Sequence, residues 1–207
     1  MEAAMVCICI LLLASILYIL ITKYCIDNVA PFTSEYNGKD YEVRKIGDHQ
    51  TKQTAANYLA ILNEKVDKLV EYMYRKNIPD RETARRLYHR WIHCELKETN
   101  SSDSSAAFTL NKSKEIRICI RDKDGNFEDP NTSMFVLLHE LAHVASITYG
   151  HDNEFKQNFS VITQIASGLG LYKPEDFYSN PKTYCGVNIN TTPCDENTCK
   201  FNVIKKR

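Results

Sequence analysis

The sequence predicts an α+β fold, with helices on either side of a half-buried strand and a separate apolar helix ahead of them. Three observations carry this. Ala3 to Thr22 run without a charge. Lys114 to Arg121 alternate apolar and polar side chains, as a half-buried strand does. On either side of that strand, apolar residues recur at three- and four-residue steps, the period of amphipathic helices. A length of 207 residues suggests one domain with an extension. An apolar content of 43% and an aromatic content of 10% suit a packed core rather than a disordered chain.

The segment AAMVCICILLLASILYILIT is long enough, as a helix rising 1.5 Å per residue, to span roughly 30 Å of bilayer core. A cleaved signal peptide would need a basic start and small residues at a cleavage site, and YILITKYC supplies none. The expectation is therefore a retained single-pass transmembrane helix, with Ala3 to Thr22 in contact with lipid. Its orientation is open. Lys23 and Lys39 follow the span, which favours a cytoplasmic domain. Sequons at Asn100, Asn111, Asn131, Asn158 and Asn190 would suit a lumenal one.

The elements follow in order. Residues 1–23 read as the anchor, and residues 24–50, polar and turn-rich, as a juxtamembrane linker. Residues 51–175 read as the folded domain, and residues 176–207 as an irregular, cysteine-containing tail. A first helix runs over Thr51–Lys76, with Leu59, Leu62, Val66, Leu69, Val70 and Met73 on one face. Pro79-Asp80 ends it and caps a second, Arg81 to about His93. Its arginines, 81, 85, 86 and 90, read as a solvated face. In the strand, Ile116, Ile118 and Ile120 point inward, while Arg117, Cys119 and Arg121 point the other way. The DKDGN that follows begins like a calcium loop. It has Phe127 where such a loop needs glycine and Ser133 where it needs a bidentate glutamate, so it reads as a turn. A third helix opens at Asp129-Pro130 and runs to Tyr149, with Gly150 ending it. A fourth spans about Asn153 to Ser167. Of the eight cysteines, Cys185, Cys194 and Cys199 cluster near the C-terminus without the paired spacing of a structural zinc site. Disulfides and free thiols both remain open for them.

Chemistry concentrates in His139-Glu140-Leu141-Ala142-His143. Residues four apart share a helical face, so both imidazoles can reach one zinc ion. Glu140 is placed to take a proton from a water on that metal. Histidine and glutamate are costly to bury among Met134, Phe135, Leu137, Leu138 and Leu141, and one zinc per chain would explain them. A catalytic zinc usually takes a third protein ligand. His151, just after Gly150, is preferred, with Asp152 and Glu154 as rivals. Asp152 could instead cap the fourth helix or orient a histidine.

From Ile116 through Phe155 the chain resembles the WLM and SprT-like zinc metallopeptidases. The matching features are IRICIR, the apolar approach MFVLLHELAH and the trailing GHDNEF. The resemblance implies a zincin-like α+β domain in which a short sheet packs over the active-site helix and an edge strand receives extended peptide. It implies zinc bound by His139, His143 and His151, with Glu140 as general base. The expected activity is that of a membrane-held endopeptidase acting on protein or peptide. Tyr149 and Tyr184 are candidate oxyanion partners, and Lys114 to Arg121 is the expected peptide-pairing strand. The gap from His143 to His151 exceeds the shortest in the WLM group. Familiar members act on proteins crosslinked to DNA, but zero net charge and an anchor set this chain apart. It looks more like membrane-anchored forms in large DNA viruses, which would place it in a host or virion membrane. Nucleic acid is not expected as a partner. A structural virion protein that keeps the zinc site, and a DNA-associated repair protease, are the alternatives.

Overall fold

A computed structural model describes residues 8–18, 28–100, 103, 105–111, 114–191 and 193. The described chain is mixed α+β, with five helices and three small sheets. Residues 8–18 form α1. The other elements are β1 (Val29–Thr33), β2 (Asp40–Arg44), α2 (His49–Lys76), α3 (Arg81–Trp91), β3 (Glu95–Glu98), β4 (Ala107–Leu110), β5 (Glu115–Ile118), α4 (Pro130–Ala145), α5 (Asn153–Gly168), β6 (Lys182–Tyr184) and β7 (Val187–Ile189).

The predicted transmembrane anchor is corrected. No helix among the described residues is long and apolar enough to cross a membrane. Within Ala3–Thr22 the described residues are 8–18, and they are helical. The remainder of that stretch lies outside the described residues, and the membrane localisation read from it falls with the anchor.

Each of α2 to α5 begins at an aspartate whose carboxylate accepts amide hydrogens of the first turn. Asp48 receives Thr51 N, Asp80 receives Glu82 N and Thr83 N, Asp129 receives Thr132 N, and Asp152 receives Phe155 N. These side chains satisfy donors that no helical carbonyl can reach. Leu59, Val66 and Leu69 of α2, fully buried, belong to the same core as Leu137, Leu138 and Leu141 of α4.

The central sheet has the order β3–β5–β4, with β3 parallel and β4 antiparallel to β5. Two corrections follow. The predicted strand over Lys114–Arg121 becomes β5, which is hydrogen-bonded on both sides and has no edge to offer a peptide. Its second face is not solvated either. Arg121 is fully buried, because its guanidinium pairs with Glu98, itself joined to Arg44. Alternation identified the strand but could not foresee partners from β2 and β3.

Residues expected as a linker instead form the β1–β2 hairpin, whose Tyr41 and Val43 enter the core. The expected irregular tail contains the β6–β7 hairpin. A disulfide between Cys119 and Cys185 ties that hairpin to the end of β5 across 66 residues of sequence. Cys194 and Cys199 lie outside the described residues. Such a crosslink restricts the unfolded chain. The double replacement Cys119→Ser/Cys185→Ser is expected to lower stability by about 2–4 kcal/mol. Urea unfolding under oxidising conditions measures this, and an unchanged midpoint would refute it.

Candidate metal centre

Helix α4 stops at Ala145, earlier than the predicted Tyr149. Ser146 turns extended at φ −84° and ψ 150°, and its hydroxyl donates to the Ala142 carbonyl at 2.8 Å. The chain then crosses an exposed loop to Gly150, whose φ of +89° lies in the left-handed region that favours glycine. This turn brings His151 back over α4.

The Nε2 atoms of His139 and His151 lie 2.9 Å apart, and those of His143 and His151 lie 3.1 Å apart. The three imidazoles form a group that could hold a metal ion, their ligand atoms all within 4.8 Å of one another. Neither Asp152 nor Glu154, the rival third ligands, belongs to that group. Asp152 caps α5, as the sequence suggested. Glu154 accepts the amides of Ile147 and Thr148 at 3.0–3.3 Å.

Phe155 lies against all three rings, with centroids 4.8 Å from His139, 4.3 Å from His143 and 4.5 Å from His151. Phe159 adds a contact to His139 at 5.2 Å. This apolar wall keeps the histidines dry on one side. Burial, and then the neighbouring imidazoles of His143 and His151, hold His139 down to about 3. A neutral imidazole has the free lone pair that a metal needs.

Glu140 is buried, at 5% exposure, yet lines the same cleft as the histidines. Thr109 of β4 donates its hydroxyl hydrogen to Oε2 of Glu140 at 2.7 Å. Burial pushes the Glu140 carboxyl up to about 7, with the Thr109 hydroxyl pulling the other way. The cleft, about 320 Å³, opens between the edge strand β4 and the 148–151 loop. Thr109 was missed from the sequence, because β4 is only four residues long, AFTL, too short for a periodic signal to stand out.

Tyr149, 83% exposed, lines the cleft. Tyr184 does not. It is fully buried and donates its hydroxyl hydrogen to the Cys119 carbonyl. The expected solvated arginine face is half used. Arg86 and Arg90 donate to carbonyls at the end of α4, whereas Arg81 and Arg85 are exposed.

Fold and site together define an α+β protein with a three-histidine candidate metal centre on its central helix. The chain belongs to the family of uncharacterized protein R325 of Acanthamoeba polyphaga mimivirus, with which it is 34% identical over 162 residues, 75% of this chain and 80% of the relative. It is also similar to uncharacterized protein 136R of invertebrate iridescent virus 6, at 39% identity over 48% of this chain and 54% of the relative. Uncharacterized protein 042R of invertebrate iridescent virus 3 is 37% identical over 41% of this chain and 52% of the relative. No family model matches the chain, and no solved structure matches it.

Proposed function

We propose that this chain is a zinc-dependent endopeptidase, with zinc held by His139, His143 and His151 and with Glu140 as general base. The carrying observation is the convergence of three Nε2 atoms beside a buried carboxylate in one open cleft. The donor set fits zinc. Bonds of about 2.0–2.1 Å in a tetrahedron would separate two ligand nitrogens by about 3.3 Å, close to the 2.9 and 3.1 Å found here. Three neutral imidazoles are a common catalytic zinc set, and a fourth position then remains for water or substrate. The resemblance of Ile116–Phe155 to WLM and SprT-like peptidases supports the same reading.

When bound, zinc would supply Lewis acidity towards a water and a peptide carbonyl. Glu140 takes the proton released by the attacking water and returns it to the leaving amine nitrogen. Its hydrogen bond to Thr109 fixes where the carboxylate points. Substrate lies along the outer edge of β4, where Ala107, Phe108 and Thr109 line the cleft. Backbone groups on such an edge can pair with an extended peptide as an added strand. Of the two tyrosines considered for the developing oxyanion, Tyr149 is the one at the cleft.

Zinc content decides the ligand set. The parent chain is expected to hold one zinc ion, and His151→Ala to bind it at least tenfold more weakly, at the low end of about 10–100-fold losses seen when a metal site loses even a supporting partner. Competition with a chromophoric chelator measures both. His151→Ala binding zinc as tightly as the parent would remove His151 from the site.

A further inference from the structure

We infer that Arg86 and Glu154 form a clamp that positions His151 as the third metal ligand. The inference rests on the zinc reading above. His151 comes from an exposed loop, while His139 and His143 come from a buried helix. A loop ligand needs something to hold its loop, and the α4–α5 connection from Ser146 to Asp152 is held near both ends.

At the first end, α4 finishes with carbonyls that lack helical donors. Arg86 donates Nε to the Ala145 carbonyl at 2.7 Å. Arg90, one turn further along α3, donates Nη1 to the carbonyls of Val144 and Ser146 at 2.7 and 2.8 Å. Two cations also suit the negative pole of a helix C-terminus. Inside the loop, Glu154 accepts the amides of Ile147 and Thr148 and the Thr148 hydroxyl, the last at 3.1 Å. Arg86 then joins the two ends, because its Nη2 also donates to Oε1 of Glu154 at 3.2 Å. The Arg86 side chain is only 14% exposed, so it is shielded far more than a surface ion pair. Neither Arg86 nor Glu154 belongs to the three-histidine group or lines the cleft. They are positioning residues, acting on the third ligand through the loop.

The test separates positioning from general destabilisation. Zinc affinity is measured by chelator competition on the full chain for Arg86→Gln and Glu154→Gln, each in the parent and in the His151→Ala background. Metal-free melting is followed in parallel. Each clamp variant is expected to weaken zinc binding about tenfold in the parent background, the low end for partners beyond the ligands themselves. In the His151→Ala background the same variants are expected to change affinity less than about twofold, since the ligand they position is gone. Glu154→Gln keeps side-chain length, so it decides the matter even where Arg86→Gln fails to fold. Equal losses in both backgrounds, or no loss in the parent background, overturn the clamp while leaving the zinc reading standing. A parent chain that binds no zinc overturns both.

Discussion

Glu140→Gln is expected to lower turnover by about 10²–10⁴-fold, the usual cost of losing a general base. Glutamine keeps the size of the side chain and can still accept the Thr109 hydroxyl hydrogen, but it cannot carry the proton from water to leaving group. Glu140 lies beside His139 on α4 and is outside the three-histidine group. Zinc content and the thermal midpoint should therefore remain those of the parent. The comparison needs a panel of unfolded protein and peptide substrates, zinc analysis on the same preparations, and the melting curve. Full activity in the variant would rule out the proposed mechanism. Loss of zinc together with activity would make Glu140 a ligand or a structural residue.

Glu98→Ala is expected to cost about 3–5 kcal/mol of folding stability, the range for breaking a buried ion pair by deleting one partner. Glu98 is fully buried between two guanidinium groups. Its Oε1 accepts Nε of Arg44 and Nε of Arg121, both at 2.8 Å. Its Oε2 accepts Nη2 of Arg121 at 2.6 Å and the backbone amide of Arg44 at 2.7 Å. Removing the carboxylate leaves two buried cations facing each other with only carbonyls to compensate. A domain of this size commonly has about 5–15 kcal/mol in total, so the variant should unfold at much lower urea than the parent. A shift under about 1 kcal/mol would mean that water or rearranged carbonyls replace the glutamate. Replacing all three residues by apolar ones is expected to cost far less than the single change, because no charge is then stranded.

The β1–β2 hairpin illustrates where sequence reading stopped. Its strands are five residues each, separated by a polar turn, and they read as a linker. Only contact with α2 and the Arg44–Glu98 pair makes them part of the core. The apolar N-terminal run shows the opposite error. Hydropathy alone suggested a membrane span, but no helix among the described residues is long and apolar enough to cross a membrane. Strand β5 was found by its alternation, yet its place in the sheet was not. Periodicity reports which faces of a strand are apolar and says nothing of which neighbours lie on its edges.

What the sequence determined by itself was local. The spacing of His139 and His143 follows from the 3.6-residue turn, since two side chains four residues apart in a helix must share a face. The apolar stripe over Thr51–Lys76 placed α2, aspartates 80, 129 and 152 marked the starts of α3, α4 and α5, and Gly150 marked the turn that returns His151. What only the tertiary structure decided was non-local. Thr109 reaches Glu140 across 31 residues of sequence, Arg86 reaches Glu154 across 68, and Cys119 reaches Cys185 across 66. Such contacts depend on which elements pack together, and no periodic signal in a single chain encodes them. The three histidines were therefore legible from spacing and a glycine, whereas the strand beside them, the base's partner and the clamp behind the loop emerged only when distant elements closed on one core.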